Sequence, residues 1–254
     1  MRRYALVTGA TSGIGLATAK LLAENNFNLV ICGRRKERLA LLEKEIVSKN
    51  SECKVSSLCF DVSKREEVEQ AISSLSAEFQ SIELLINNAG NAHGLASIEN
   101  ASLEDFEKMI DTNLKGIIYI SQEIIPKMIA MGRGQIINVG SIAGKEVYPM
   151  GSVYCASKHG ADALTKGMRM DLNKFGIKVS SINPGLVKTE FSLVRFKGDQ
   201  ERADSVYKGY TPLVAEDVAE TILFMATRPL HVNIADVIIF PTAQASSTIV
   251  KKDL

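Results

Sequence analysis

The chain has 254 residues, of which 46% are hydrophobic, and its 30 Lys and Arg against 29 Asp and Glu give a formal net charge of +1. A chain of this length and composition can bury a large core, and we predict a single domain over residues 1–254. The balanced charge gives no electrostatic reason to expect nucleic acid or an anionic membrane as a partner. No run approaches about 18 uninterrupted apolar residues, and Arg2 and Arg3 lead straight into a strand-like run, so we expect no membrane span, no signal sequence and a cytoplasmic location.

Apolar runs rich in strand-forming residues alternate with longer amphipathic runs along the whole chain. Seven apolar runs predict strands, at Tyr4–Thr8, Leu29–Cys32, Val55–Phe60, Leu84–Asn87, Ile136–Val139, Val179–Asn183 and Val237–Phe240. One helix is predicted to begin near Leu16, and others to cover Glu37–Ser48, Lys64–Phe79, Leu103–Met131, Val153–Phe175 and Ala215–Thr227. Apolar strands separated by helices are typical of a parallel sheet covered on both faces, which predicts an α/β, doubly wound, Rossmann-type fold of about seven strands. A segment at about 185–210 has no clear periodicity, and we expect it to cover the substrate site.

Residues that often ligate metals are scattered in this sequence. The four cysteines and three histidines have no metal-ligand spacing. We therefore predict free thiols and no metal site.

A glycine-rich turn follows the first predicted strand. Gly9, Gly13 and Gly15 permit a tight turn, and free N–H groups at the start of the next helix attract a pyrophosphate. Their spacing is Gly-x3-Gly-x-Gly, which differs from the common Gly-x-Gly-x-x-Gly fingerprint. An ordinary turn between a strand and a helix is the alternative, but the position after the first strand of an alternating chain favours a dinucleotide site.

Two arginines at the end of the second strand indicate which dinucleotide. NAD-binding proteins usually carry an acid about 20 residues beyond the glycines, to hold the ribose 2′-hydroxyl. Here Arg34 and Arg35 occupy that place, with no acid before Glu37. Guanidinium groups can hold a 2′-phosphate through charge-assisted bonds, so we predict NADP. The alternative is that the arginines only begin a solvated helix.

Three further residues form a candidate catalytic group, although a Tyr four residues before a Lys is by itself common by chance. Tyr154 and Lys158 are four residues apart in a helical run and share one face. Ser141 follows the fifth strand, and the carboxyl ends of parallel strands face the ligand crevice. A phenol is a poor base at neutral pH, so a cation such as Lys158 is expected to lower the pKa of Tyr154.

This set of motifs resembles that of the short-chain dehydrogenase/reductase family over nearly the whole chain. The matching residues are Thr8-Gly9-x3-Gly13-Ile14-Gly15, Asp61-Val62, Asn87-Asn88-Ala89-Gly90, Asn113, Ser141, Tyr154-x3-Lys158 and Asn183-Pro184-Gly185. The resemblance implies an oxidoreductase in which Tyr154 exchanges a proton with the substrate and Ser141 hydrogen-bonds the substrate oxygen. It also implies that Asn113 holds a water that links Lys158 to solvent, although a structural role in the helix is the alternative.

The resemblance further implies a set of residues that contact the cofactor. They are Gly9, Thr11, Ser12, Gly13, Ile14 and Gly15 in the turn, Asp61 and Val62 at the adenine, Asn87, Ala89 and Gly90 at the adenosine ribose, Tyr154 and Lys158 in the helix, and Pro184, Gly185, Val187 and Thr189 at the carboxamide and pyrophosphate.

Two stretches, Gly185–Asp199 and Phe240–Ser246, narrow the resemblance to one branch. They are similar to the NADP-dependent serine and 3-hydroxy acid dehydrogenases, which also reduce malonic semialdehyde. This implies a small 3-hydroxy acid or its carbonyl as the substrate. It also implies a homotetramer, with the helices around Leu103–Met131 and Val153–Phe175 at the interface unless those faces only pack on the sheet.

Arg195 is predicted to bind the substrate carboxylate, because its planar guanidinium can hold a carboxylate through two bonds. A surface arginine paired with Glu190, Asp199 or Asp204 is the alternative.

Two other functions stay open on the sequence. One is reduction of another carbonyl, such as a 3-oxoacyl thioester, a sugar or a sterol. The other is a non-catalytic NADP-binding regulatory protein on the same fold, which the presence of Asn113, Ser141, Tyr154 and Lys158 disfavours.

Overall fold

The computed structural model describes residues 2–253, and seven strands in it form one parallel sheet. The strands are β1 Arg3–Val7, β2 Phe27–Gly33, β3 Val55–Cys59, β4 Ile82–Asn87, β5 Gly134–Val139, β6 Ile177–Pro184 and β7 Asp236–Ile239. Their order in the sheet is β3-β2-β1-β4-β5-β6-β7. Because the order reverses at β1, the carboxyl ends of β1 and β4 flank the switch point, where ligands bind in such sheets.

Helices join the strands as parallel connections require. They are α1 Gly13–Glu24, α2 Lys36–Lys49, α3 Arg65–Ser73, α4 Leu103–Ile110, α5 Gly116–Met131, α6 Ser152–Leu172, α7 Phe191–Arg195, α8 Gln200–Ser205 and α9 Ala215–Ala226. Within residues 2–253, no helix has both the length and the apolar character needed to cross a membrane.

The core has two parts, one on each face of the sheet. Neighbouring residues of a strand point to opposite faces, and accordingly Leu6 packs in one part and Val7 in the other. On the face of Val7 lie α1, α2 and α9, whereas α3, α5 and α6 cover the face of Leu6. This confirms the predicted doubly wound α/β sheet with helices on both faces.

Two regions differ from the predicted elements. The single helix predicted over Leu103–Met131 is α4 and α5 joined by a π-helical turn at Asp111–Lys115, where Gly116 N–H donates to the Asp111 carbonyl. The aperiodic segment at 185–210 contains α7 and α8, which are too short for periodicity to reveal.

Candidate active site

A cleft of about 550 Å³ opens at the carboxyl ends of the strands. It extends from the glycine turn after β1, past the ends of β4 and β5, to the start of α7. A second cavity of about 320 Å³ lies beside it, and Tyr154 and Arg195 line both.

The glycine turn has a backbone that side chains would disturb. Gly9 has φ +66°, and a Cβ atom there would lie 2.9 Å from Asn88 Nδ2 and 3.0 Å from Ala89 Cα. Gly13 has φ +52°, begins α1 and lines the cleft, so the start of the helix, with its unpaired N–H groups, borders the cleft. Thr11, Ser12 and Ile14 also line the cleft.

Gly15 lies behind this turn and does not line the cleft. A Cβ atom at Gly15 would overlap the Gly9 carbonyl and the Asn88 amide. Gly15 therefore allows the helix start to approach the turn closely and makes no contact with the cleft.

In the motif at the end of β4, Asn88 contacts the glycine turn, whereas Asn87 does not. Asn87 is buried in the sheet, and its Nδ2 donates to Asn138 Oδ1 at 2.9 Å and to Ser121 Oγ at 3.2 Å. Asn88 Nδ2 donates to the Thr8 carbonyl at 2.8 Å and so holds the glycine turn. The expectation that Asn87 lines the ribose side does not match this placement, because its side chain lies between strands; Ala89 and Gly90 do line the cleft.

The two predicted arginines after β2 face different partners. Arg34 Nη1 lies 3.3 Å from Asp61 Oδ2, and its side chain is 67% exposed. Arg35 donates to Thr11 Oγ1 at 2.8 and 3.0 Å and to Ser12 Oγ at 2.7 Å. A further Arg35 nitrogen, Nη1, donates to Glu190 Oε2 at 2.8 Å.

Arg38 joins this cluster, although the sequence reasoning did not select it. Its Nη1 donates to the other oxygen of Glu190 at 2.7 Å. The spacing in the sequence gives part of this cluster, because Arg38 is three residues after Arg35 and lies on the same helix face. Glu190 comes from a distant part of the chain, so no local pattern could have paired it with them.

Asp61 and Val62 line the same cleft near Arg34. Burial raises the pKa of Asp61, but hydrogen bonds from Ser63 and the charge of Arg34 outweigh it, and the net pKa is below the usual value. Asp61 is therefore an anionic hydrogen-bond acceptor at neutral pH. Val62 packs on α5 and is buried.

Tyr154 and Lys158 lie one turn apart on α6, and both are buried. Lys158 Nζ donates to the Val139 carbonyl at 3.0 Å, and burial lowers the pKa of Lys158 to about 8. Burial raises the pKa of Tyr154 well above its usual range, while a hydrogen bond with Ser141 and the charge of Arg195 act in the opposite direction. The expected lowering of the Tyr154 pKa by Lys158 is not found, because burial of the phenol dominates.

Ser141 follows β5 and lies beside Tyr154. Its Oγ accepts from the Ala143 backbone N–H at 3.1 Å and caps a short 3-10 turn at Ile142–Gly144. This bond orients the serine hydroxyl, which lies close enough to Tyr154 to lower the pKa of the phenol.

Asn113 is fully buried in the π-helical turn. Its Oδ1 accepts from the Asn91 N–H at 2.8 Å, and its Nδ2 donates to the Asn91 carbonyl at 2.8 Å and to Ser157 Oγ at 3.0 Å. A Cβ atom at Gly90 would lie 3.2 Å from Asn113 Oδ1 and 3.4 Å from Lys158 Nζ, so the three residues meet at one point. The side chain of Asn113 thus holds local structure next to Lys158.

The segment after β6 borders the cleft along its length. Pro184, Gly185, Val187 and Thr189 all line it. Gly185 has no room for a Cβ atom beside Phe240 and Gln244, and Gln244 Oε1 accepts from the Leu186 N–H at 2.8 Å. Gly13 would place a Cβ atom 3.2 Å from Thr189, so this segment contacts the glycine turn.

Arg195, at the end of α7, lies over two tyrosines. Its guanidinium carbon is 5.4 Å from the ring centre of Tyr154 and 5.5 Å from that of Tyr148, and its Nη2 donates to the Tyr148 hydroxyl at 2.8 Å. Within residues 2–253 no carboxylate lies within ion-pairing distance of Arg195. The alternative of a surface arginine paired with Glu190, Asp199 or Asp204 does not match this position.

Comparisons with known proteins agree on one family. The family model described as short chain dehydrogenase matches residues 3–199. The NADP-dependent 3-hydroxy acid dehydrogenase of Salmonella typhi is 43% identical over 94% of this chain and 95% of its own length. Sulfoacetaldehyde reductase 2 of Chromohalobacter salexigens is 40% identical over 97% of each chain.

A solved structure extends this agreement to the whole fold. It is described as the closed form of serine dehydrogenase complexed with NADP⁺, and it superposes with a TM-score of 0.91 at 38% identity. The superposition covers 99% of this chain and 100% of that one.

Proposed function

Because this chain belongs to the short-chain dehydrogenase/reductase family, we propose that it is an NADP-dependent oxidoreductase acting on a small 3-hydroxy acid of the serine, allo-threonine or 3-hydroxypropionate type. It transfers a hydride between the nicotinamide and the hydroxyl-bearing carbon, or reduces the matching carbonyl. The names of the relatives, which include an NADP-dependent 3-hydroxy acid dehydrogenase, support both the cofactor and the substrate class.

The cleft residues fit NADP. A turn without side chains at Gly9 and Gly13 leaves room for a pyrophosphate at the start of α1, and three arginines nearby supply positive charge for a 2′-phosphate. Asp61 would accept from the adenine amino group. The nicotinamide, when bound, accepts or supplies the hydride.

Tyr154 is proposed as the group that exchanges the proton of the substrate oxygen. Its raised pKa keeps the phenol protonated at neutral pH, as donation to a carbonyl oxygen requires. Ser141 would hydrogen-bond the same substrate oxygen and stabilise charge that develops on it. Lys158 would hold the nicotinamide ribose and keep a positive charge near the phenol.

Asn113 is proposed to help hold a water between Lys158 and solvent. One observation supports a water near Asn113: Oδ1 of its partner Asn91 is buried and accepts no hydrogen bond within residues 2–253. Buried acceptors are normally satisfied, and a water can supply the donor.

The position of Arg195 is the main observation that supports an acidic substrate. Its guanidinium lies against the ring of Tyr154 without a carboxylate partner among the described residues, so an anion in the cavity would be its natural partner. A 3-hydroxy acid places its carboxylate two carbons from the carbinol carbon, a short distance that suits Tyr154 at one end and Arg195 at the other. A sulfonate would present the same charge.

A substrate comparison tests the proposal. We expect the protein to reduce NADP with serine, allo-threonine, 3-hydroxypropionate and 3-hydroxybutyrate as substrates, and much less efficiently with uncharged alcohols. With the same hydroxy acids, we expect NAD to be reduced much less efficiently than NADP. Equal efficiency on uncharged alcohols would indicate another carbonyl substrate, such as a sugar or a sterol. Binding of NADP without turnover of any substrate would indicate a regulatory protein.

We further propose that the chain acts as a single cytoplasmic domain and assembles as a homotetramer, with 185–210 covering the substrate. Free cysteines suit a reducing compartment. Large apolar side chains at Leu103 on α4 and Met170 on α6 are 76% and 75% exposed, which supports burial against further copies.

A further inference from the structure

The carboxylate of Glu190 links the segment after β6 to the start of α2. It immediately precedes α7, between Thr189, which packs against the glycine turn, and Phe191, whose ring centre is 5.8 Å from that of Tyr154. Its Oε2 accepts from Arg35 at 2.8 Å and its Oε1 accepts from Arg38 at 2.7 Å. The start of α2 is therefore fastened to the start of α7.

The same arginines belong to the proposed 2′-phosphate site. Most of the N–H groups of Arg35 donate to Thr11, Ser12 and Glu190. Within residues 2–253, Arg38 donates only through Nη1, to Glu190. A guanidinium has five N–H donors, so Arg38 can contact Glu190 and a further anion together. Glu190 thus places a negative charge where a phosphate would bind.

These ion pairs are poorly explained as stabilising contacts. The side chains of Glu190, Arg35 and Arg38 are 42%, 39% and 46% exposed, and exposed pairs contribute little to stability. The hydrogen bond from Arg35 lowers the pKa of Glu190, burial opposes this, and Arg38 lowers it further. The carboxylate is therefore charged at neutral pH.

Any displacement of Glu190 would reach the substrate end through α7. The helix has five residues, and Val194 N–H donates to the Glu190 carbonyl at 3.0 Å. Arg195 follows directly and lies over Tyr154. This backbone bond and the single turn of α7 connect Glu190 directly to the residues beside Arg195.

We propose that Glu190 is a positioning residue with two opposing effects: it fastens 185–210 so that Arg195 faces the substrate, and it weakens NADP binding by countering the charge of Arg35 and Arg38. The inference rests on the proposed function. A single carboxylate thus affects both the affinity for NADP and the position of Arg195.

Glu190→Gln tests this because it removes the charge and keeps the size of the side chain. The NADP dissociation constant, measured by calorimetry without substrate, should fall about threefold to tenfold, because one opposing charge is gone. The KM for the hydroxy acid should rise by a similar factor, with a smaller change in kcat, because Arg195 is less firmly placed. Effects in opposite directions are not expected from a general structural defect.

Two variants serve as controls. Glu190→Asp keeps the charge but shortens the reach, so NADP affinity should stay near that of the unmutated protein while the KM for the hydroxy acid rises. Glu69→Gln removes a carboxylate of another exposed arginine pair, Arg65–Glu69 at 2.6 Å on α3, and should change neither quantity.

A second measurement does not depend on turnover. Amide hydrogen exchange of α7 in the cofactor-free protein should be faster in Glu190→Gln than in the unmutated protein. Unchanged exchange, unchanged constants, or a joint weakening of NADP and substrate binding would overturn the inference. If the unmutated protein neither prefers NADP nor oxidises a hydroxy acid, the proposed function is wrong. Hydrogen exchange of α7 in Glu190→Gln still tests whether Glu190 holds α7 in place.

Discussion

Tyr154 and Lys158 lie one helical turn apart, and burial raises the pKa of the phenol while it lowers the pKa of the ammonium to about 8. At neutral pH the phenol is therefore protonated and most of the lysine is still charged. This pair of states suits donation of a proton to a carbonyl oxygen, and it disfavours removal of a proton from an alcohol.

The two reaction directions should consequently differ in pH dependence. With Tyr154 as the proposed proton-exchanging group, oxidation needs the phenolate, whose fraction grows with pH toward the raised pKa of Tyr154. The kcat/KM for the hydroxy acid should then increase steadily from pH 6 to pH 10. Reduction needs the phenol and the charged lysine, so kcat/KM for the carbonyl should be flat at low pH and decline above about 8. Steady-state profiles in both directions check this. An oxidation rate that is already constant at pH 6 would point to a different base.

Removing only the hydroxyl of Tyr154 should separate chemistry from binding. Tyr154→Phe keeps the ring that packs on Phe191 but has no proton to exchange, so kcat should fall by at least about 10²-fold. NADP affinity, measured by calorimetry, should be retained. Near-normal turnover in this variant would rule out Tyr154 as the proton donor.

Arg195 should discriminate between charged and uncharged substrates. Arg195→Ala removes a charge-assisted contact, so the KM for hydroxy acids should rise roughly tenfold or more. Efficiency on an uncharged alcohol should fall far less, because that substrate loses only the effect of Arg195 on the pKa of Tyr154. Lys188→Ala is a matched control, because Lys188 is an exposed cation of the same segment. If both substrate classes lose efficiency equally, Arg195 shapes the segment and does not bind the carboxylate.

The turn between β1 and α1 shows how a short connection fixes the cleft. Gly9 combines a left-handed backbone with the close approach of Asn88 and Ala89, and Thr8 Oγ1 accepts from the backbone N–H groups of both at 3.0 Å. The first and fourth strands are thus bound together at the place where the sheet order reverses.

A methyl group at this turn should therefore be harmful. Gly9→Ala should lower the free energy of unfolding by about 1–2 kcal/mol, because L-residues are strained at positive φ, and it should weaken NADP binding. Gly167→Ala in α6 is the control: its Cβ atom would meet nothing within 4 Å, and it should gain about 0.5–1 kcal/mol. Denaturant unfolding measures both. Equal stability of Gly9→Ala and the unmutated protein would contradict the role of the turn.

The π-helical turn between α4 and α5 interrupts a stretch that the sequence predicts as one continuous helix. The apolar spacing over Leu103–Met131 predicts a continuous helix, because a single wide turn hardly changes that spacing. The wide turn nevertheless brings the buried Asn113 against Gly90 and Lys158. Such turns are frequent at functional sites.

At the scale of the whole molecule, the helices that flank the active site leave apolar side chains in solvent. Sedimentation or light scattering of the unmutated protein should give the mass of four chains. Leu103→Glu together with Met170→Glu places charges on these exposed positions and should reduce the mass, because an unpaired charge is costly to bury at an interface. Leu230→Glu, at a loop position that is 79% exposed, should leave it unchanged. A monomeric unmutated protein would contradict the proposed tetramer.

The fold and the family could be predicted from the sequence because their signals are local. Strand periodicity, the glycine spacing and the interval between Tyr154 and Lys158 are each contained in a few residues, and these predictions of family and fold are confirmed. The helix that carries Tyr154 and the strand end before Ser141 then follow from ordinary rules for parallel sheets.

The tertiary structure decided which side chains face the cleft and what they contact. Asn87 and Asn88 are neighbours of the same type, yet Asn87 is the last residue of β4 and bonds to Asn138 of β5, whereas Asn88 lies beyond the strand and holds the glycine turn. The pairing of Glu190 with Arg35 and Arg38 joins residues more than 150 positions apart, and the pKa of Tyr154 depends on the burial that many distant residues create together. Composition and spacing record neither, because long-range contact and desolvation are properties of the packed chain.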